Sequence, residues 1–195
     1  YKVEVRHEPS TAAVHLAWEE ITPQYGVPRT VAGIEASHAV MGLGKMGGEA
    51  LGYASDIELL FLYSDSGQTD GHRSVSNTEF FEELFQRSVR IIGARREGIF
   101  QLDLRLRPHG KAGPLAVSTA SFLQYYRSDA SSLEKLALVR MRWIGGDAEL
   151  GHRIERVRDE LIYGADSIDL PELQRLRAIQ LQEKADHGRL NAKPP

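Results

Sequence analysis

Residues 42–63 read GLGKMGGEALGYASDIELLFLY, and both the fold and the chemistry are best inferred from them. A loop of glycines and a lysine leads to two carboxylates, Asp56 and Glu58, which head an apolar run. Glycines allow backbone N–H groups to close on a phosphate, and a strand places residues i and i+2 on one face. Two carboxylates beside such a loop suit Mg²⁺ and a nucleoside triphosphate. The stretch therefore predicts a site for phosphoryl or nucleotidyl transfer.

The composition narrows the class of protein. The chain has 195 residues, of which 42% are hydrophobic and 26% charged, ordinary values for a globular protein with a sizeable core. A net charge of −3 does not favour a nucleic-acid partner, and no apolar run or leading signal segment predicts a membrane. The lack of cysteine excludes disulfides and fits a cytoplasmic location. Because the chain begins at Tyr1 and stops at Pro195, we expect a fragment of a longer polypeptide.

The apolar periodicity places strands early and helices late. A helix is expected at 10–21, a loop at 27–37, a polar loop at 64–77 and a helix at 77–93. Strands are expected at 38–42, 57–63, 99–107 and 114–117. After residue 118 the spacing predicts helices alone, at 119–127, 132–144, 147–163 and 171–186. We therefore predict an α+β fold, a mixed sheet flanked by helices, with a domain at 1–128 and a C-terminal helical appendage at 129–195.

A third carboxylate lies in the predicted strand at 99–107. Leucines at the even positions from 102 face one way, and Asp103, Arg105 and Arg107 face the other. If this strand pairs beside 57–63, its polar face meets the first two carboxylates, and a cation among all three becomes favourable. The arginines would neutralise the remaining charge or bind phosphate. A structural Asp–Arg pair explains the same spacing equally well.

The glycine loop has two interpretations as well. Gly44, Lys45, Gly47 and Gly48 do not follow the Walker pattern, because the lysine precedes the paired glycines. The loop either cradles a phosphate or makes a tight turn between a strand and a helix. Ser55 adds a hydroxyl that would contact a phosphate or serve as a turn residue.

Together these motifs resemble a known family. GLGKMGGEALGYASDIELLFLY, DLRLRPHGKAGPL at 103–115, FLQYY at 122–126 and EKLALVR at 134–140 are similar, in order, to motifs of the glutamine synthetase adenylyltransferase (glutamate–ammonia ligase adenylyltransferase) family. The likeness covers residues 38–151. Members of that family belong to the DNA polymerase β-like nucleotidyltransferase superfamily. Glu58 departs from the family pattern, which usually has aspartate there.

The resemblance implies a nucleotidyltransferase fold and a set of roles. Asp56, Glu58 and Asp103 would be the catalytic acids that bind Mg²⁺. The nucleotide phosphates would be held by Gly47, Gly48, Ser55, Lys45, Arg105 and Arg107. The substrate would be ATP, or orthophosphate for the reverse reaction, the partner would be glutamine synthetase, and the regulator would be the PII signalling protein of nitrogen metabolism.

The direction of transfer and two other functions stay open. GPL at 113–115 and the paired tyrosines resemble the deadenylylating half of the family, which we favour slightly, whereas LGYASD at 51–56 resembles the adenylylating half. Glu58 and the apparent truncation would also suit a non-catalytic regulatory module that binds nucleotide. A nucleotidyltransferase with a small-molecule acceptor is the third interpretation.

Overall fold

The computed structural model describes residues 8–50, 56–94, 101–164 and 169–190. Their strands are β1 (Pro28–Thr30), β2 (His38–Gly42), β3 (Ile57–Tyr63), β4 (Gly67–Thr69), β5 (Leu102–Asp103), β6 (Ala116–Ser118) and β7 (Arg142–Gly146). Their α-helices are α1 (Glu8–Tyr25), α2 (Gly44–Gly47), α3 (Asn77–Ala94), α4 (Thr119–Ser128), α5 (Ser132–Ala137), α6 (Ala148–Tyr163) and α7 (Leu170–Leu190). Short 3₁₀ turns cover Gly110–Ala112 and Leu138–Arg140.

The main sheet is built around β3. On one side β3 pairs antiparallel with β2, which in turn pairs antiparallel with β7. On its other side β3 pairs parallel with β5 at its start and with β6 at its end. Strands β1 and β4 form a separate antiparallel pair. The main sheet is therefore mixed and has helices on both faces, which confirms the predicted α+β class.

Both faces of β3 are buried, as its continuous apolar run predicts. Phe61 faces a first core, to which α1 and α3 contribute, and Leu62 faces a second core, to which α4 and α6 contribute. Both side chains are 0% exposed. Burial of one such side chain stabilises a fold by about 1.5–3 kcal/mol. Strand β3 is therefore a rigid support for Asp56, which directly precedes it.

The prediction of a single helix at 132–144 is wrong. Helix α5 ends at Ala137, a 3₁₀ turn follows, and residues from Arg142 onward form β7 instead. Pairing with β2 across an irregularity between Val40 and Met41 overrides the local helical spacing. Gly145 and Gly146, both poor in helices, were the available signal. Strand β7 follows the predicted domain boundary at 128/129 in the sequence, yet it lies in the main sheet. The boundary itself stays a prediction.

Three further segments differ from the sequence-based predictions. Within the described part of 99–107, only Leu102–Asp103 is a strand, because the chain turns directly after Asp103. Leu106 consequently packs on the second core, while Leu102 and Leu104 pack on the first. The segments predicted as the loops 27–37 and 64–77 contain β1 and β4.

Within the ranges that the structure describes, no helix combines the length and the apolar character needed to cross a membrane.

Candidate active site

Two of the predicted acids lie side by side. Strand β5 runs parallel to β3 in a register that sets Ile57 opposite Leu102 and Glu58 opposite Asp103. Neighbouring strands lie about 4.8 Å apart, and directly paired residues share a face of the sheet. Glu58 and Asp103 thus project from the same face at the head of β3.

A cavity of about 420 Å³ opens beside this pair. Asp56, which is exposed, lines it together with Asp103. The other charged side chains around it are cationic: Arg105, Arg107 and Lys111. Lys111 is absent from the residues predicted from sequence, and its place in the loop that follows the Asp103 segment was the only signal for it. The cavity combines oxygen ligands with cations, which suits a phosphate-bearing ligand bound with a metal ion.

The glycine loop begins where β2 ends, and it contacts Glu58. The N–H of Leu43 donates to the carbonyl of Glu58 at 3.0 Å. Gly44 has a φ of +49°, and a Cβ atom at that position would lie 1.4 Å from Glu58 Oε2. The carboxylate of Glu58 therefore occupies the space that any other residue at 44 would fill.

Gly47 and Gly48 have a packing role in this turn. A Cβ at Gly47 would lie 1.8 Å from the carbonyl oxygen of Arg140, and one at Gly48 would lie 3.2 Å from Arg140 Cδ. Their N–H groups donate to the carbonyls of Leu43 and Gly44, at 2.9 and 3.1 Å, and so close the single turn of α2. Lys45 is exposed on that turn. Ser55, predicted as a phosphate ligand, lies outside the described residues.

Arg105 holds Asp103 with a fork of hydrogen bonds. Its Nε donates to Oδ1 at 2.9 Å and to Oδ2 at 3.0 Å, and its Nη2 donates to Oδ2 at 2.5 Å. The backbone N–H of Arg105 also donates to Oδ1, at 2.9 Å, which makes the turn that ends β5. The structural Asp–Arg pair that the spacing left open is thus present.

The charges of this pair shift both pKa values. Hydrogen bonds from the Arg105 side chain are the main reason that the pKa of Asp103 is lowered. The hydrogen bonds with Asp103 raise the pKa of Arg105, and the negative charges of Asp56 and Glu58 raise it further. Arg105 therefore lies in the field of all three acids.

Arg107 is held differently, by the backbone. Its Nε donates to the carbonyl of Gly113 at 3.1 Å, its Nη1 to that of Leu104 at 2.5 Å and its Nη2 to that of Lys111 at 3.4 Å. These bonds brace the loop from Leu104 to Gly113 from inside. The two arginines that the sequence grouped together thus have distinct partners.

The donor set fits a hard divalent cation, but the side chains are not gathered around one point. Glu58 Oε2 is buried and has no hydrogen-bond partner, and such an atom is costly unless a cation binds it. Among the residues that the structure describes, no group of three or more histidine, cysteine, aspartate or glutamate side chains is arranged to hold a metal ion. Both oxygens of Asp103 accept hydrogen bonds from Arg105 instead. The metal site stays a prediction.

Comparison with known proteins supplies the family. The family model described as glutamate-ammonia ligase adenylyltransferase matches residues 10–157. The chain is similar to proteins named bifunctional glutamine synthetase adenylyltransferase/adenylyl-removing enzyme. That of Methylococcus capsulatus is 34% identical over 189 residues, which are 92% of this chain and 20% of the relative. That of Pasteurella multocida is 38% identical over 154 residues, which are 76% of this chain and 16% of the relative.

The length of these relatives limits what the match conveys. The chain spans about a fifth or less of each of them, 20% in the first case and 16% in the second. The family model nevertheless covers most of the chain, and with it β2, β3, β5 and the glycine turn. The chain belongs to the glutamate–ammonia ligase adenylyltransferase family.

Proposed function

We propose that the chain is a Mg²⁺-dependent nucleotidyltransferase domain that adenylylates or deadenylylates a tyrosine of glutamine synthetase. The observation that carries the proposal is the register that sets Glu58 opposite Asp103, beside the turn at Gly44. The names of the relatives support the reaction and the partner. We further propose that the domain works in the cytoplasm, in the control of nitrogen assimilation, under regulation by a PII signalling protein.

The three acids would act as metal ligands. Asp56, Glu58 and Asp103 supply only carboxylate oxygens, the ligands that Mg²⁺ prefers. When bound, the metal neutralises phosphate charge and favours in-line attack. The side chains of the site would bind the nucleotide and orient its phosphates for that attack.

The cations and the glycine turn would receive the phosphates of the nucleotide. Lys45 stands on the turn, and Arg105 and Arg107 line the cavity beside Asp56. Planar guanidinium groups match phosphate oxygens in pairs. We also assign phosphate contacts to Gly47, Gly48 and Ser55, the positions that match the family motif.

The proposed reaction balances in both directions. In adenylylation the tyrosine oxygen loses its proton and bonds to the α-phosphorus of ATP, while the bond to the β-phosphate breaks and pyrophosphate leaves. In deadenylylation an oxygen of orthophosphate attacks the phosphorus of the tyrosyl-AMP ester, the tyrosine leaves and takes up a proton, and ADP is formed. Both directions need the same charge neutralisation at one phosphorus.

The test offers the 195-residue chain both forms of the partner. Purified unmodified glutamine synthetase with ATP, and its AMP-modified form with orthophosphate, are incubated with the chain, and the mass change of one AMP is followed. The pattern of motifs favours removal of AMP slightly over addition. Asp56→Asn should abolish the change, whereas Asp129→Asn, an exposed residue outside the cavity lining, should not. No mass change in either direction would contradict the proposal for this chain.

A second function is favoured by one contact. Because Arg105 already satisfies both oxygens of Asp103, the domain could bind nucleotide without a metal and serve as a regulatory module. Calorimetric titration with ATP, with and without Mg²⁺, separates the two functions. Equal affinity in both titrations would favour the regulatory module over the enzyme.

A further inference from the structure

Arg105 and Asp103 are unequally anchored. The side chain of Asp103 is 13% exposed, whereas that of Arg105 is 64% exposed. The carboxylate is therefore fixed by the sheet and the turn, and the guanidinium lies over it from the solvent side. Because the guanidinium is open to solvent, water can replace its contacts at low cost, so the arginine is the member of the pair that can leave.

The neighbouring arginine cannot do the same. Arg107 donates to three backbone carbonyls of its own loop, those of Leu104, Lys111 and Gly113. Its removal would break the loop that lines the cavity. By contrast, the side-chain hydrogen bonds of Arg105 to described residues all go to Asp103, so its departure leaves the loop intact.

Arg105 places a positive charge near all three acids, as a bound metal would. It neutralises Asp103 and also feels the charges of Asp56 and Glu58. Two carboxylates paired in register, with a third at the same cavity, repel each other unless a cation lies among them. The guanidinium of Arg105 engages both oxygens of Asp103, so a metal ion would have to compete with it for this carboxylate.

We propose that Arg105 is a positioning residue that occupies Asp103 in place of the metal and releases it when the metal and nucleotide bind. The inference rests on the proposed function, because it assigns Asp103 to the metal. On release, the exposed guanidinium becomes available to phosphate oxygens, for which its geometry is suited. The metal thus replaces the guanidinium of Arg105 at Asp103, and the negative charge of this carboxylate is neutralised both before and after the exchange.

The test measures binding without turnover. Mn²⁺ replaces Mg²⁺ as a probe, and its affinity for the 195-residue chain is measured by electron paramagnetic resonance in the absence of nucleotide. Arg105→Gln should bind Mn²⁺ about fivefold more tightly than the unmutated chain, because the competing cation is gone. ATP affinity, measured by calorimetry at saturating Mn²⁺, should fall about tenfold in the same variant, because a charged phosphate contact is lost. Arg105→Lys, which keeps the charge without the fork, should lie between the two for both affinities.

Lys111→Gln is the matched control. Lys111 lines the same cavity and acts on Asp103 through its charge, without a hydrogen bond to it. Its removal should tighten Mn²⁺ by about twofold or less, since an exposed charge is screened by salt. An equal gain in Lys111→Gln and Arg105→Gln would overturn the proposal and show a general effect of charge.

The remaining outcomes distinguish failure of the Arg105 proposal from failure of the proposed function on which it rests. If the unmutated chain binds Mn²⁺ and loses it in Glu58→Gln, but Arg105→Gln binds it no more tightly, the metal site stands and the role of Arg105 is refuted. If Mn²⁺ does not bind the unmutated chain even with ATP, both proposals fail. Circular dichroism of each variant confirms that the exposed substitutions leave the fold unchanged.

Discussion

Glu58 and Asp103 lie directly opposite each other on parallel strands, although 44 positions separate them in the sequence. The register brings two negative charges together on one face, at the head of the most buried strand of the fold. One oxygen of Glu58 has no hydrogen-bond partner there. This pair is therefore expected to reduce the stability of the metal-free domain and to be retained for ligand binding.

Replacing the buried carboxylate should stabilise the metal-free chain. Glu58→Gln removes a charge beside Asp103, and we expect the free energy of unfolding in urea to rise by about 1 kcal/mol without metal. The same variant should lose Mn²⁺ binding. Glu160→Gln, at an exposed position of α6, should leave the unfolding midpoint unchanged. A loss of stability in Glu58→Gln would contradict the idea that its charge is costly.

The close approach of Arg140 should make Gly47 intolerant of substitution. In Gly47→Ala the new Cβ would lie 1.8 Å from the Arg140 carbonyl, so the turn must shift. We expect a loss of about 1–3 kcal/mol in the free energy of unfolding, measured in urea. Gly93→Ala is the control, because a Cβ there has nothing within 4 Å on helix α3. That control should be neutral or stabilising by up to about 1 kcal/mol.

A half-buried histidine, at the end of β2 opposite the glycine turn, should set an acid limit on stability. His38 packs on the ring of Trp18, and burial lowers its pKa from 6.5 to about 4, although the charge of Asp147 partly opposes this. Between these values the unfolded chain binds a proton that the folded chain does not, so stability falls as the pH falls. We expect a loss of about 2 kcal/mol between pH 7.5 and pH 5 from this residue.

Urea unfolding at the two pH values checks the sign. His38→Gln should flatten the profile, because the titrating group is gone. His15→Gln, on the exposed face of α1, should keep the slope of the unmutated chain. A slope that survives in His38→Gln would assign the acid sensitivity to other groups.

Replacement by lysine should destabilise the chain at Arg107 but not at Arg105, the two arginines of the Asp103 loop. In Arg107→Lys the ammonium group cannot reach the three carbonyls that the guanidinium bonds. We expect a loss of about 1–2 kcal/mol in the free energy of unfolding, together with weaker ATP binding. Arg105→Lys should leave the unfolding midpoint unchanged. Equal destabilisation by both substitutions would mean that Arg105 also braces the loop.

The parts of the fold that sequence predicts well carry local and unambiguous patterns. The apolar runs of β2 and β3 predict buried strands at the observed bounds, and the helical spacing after Asn77 predicts α3. Strand β7 was missed because its residues have mixed local preference and become a strand only by pairing with β2. Tertiary pairing leaves no periodic mark in five residues.

The candidate site shows the same division. The two-residue spacing of Asp56 and Glu58 predicts a shared face, and alternation around Asp103 suggests a partner strand. Neither pattern could show that the chain turns directly after Asp103 and brings Arg105 back onto it. That outcome depends on the side-chain hydrogen bond of a single aspartate, which competes with strand geometry.

Strand β5 consists of only two residues, and β3 is its neighbour in the main sheet. So few ladder bonds make detachment of β5 a local event, much less costly than opening the sheet centre. The amide protons of β5 should accordingly exchange with deuterated water long before those of β3. Of the two paired acids, Glu58 therefore lies on the slow-exchanging strand and Asp103 on the fast-exchanging one.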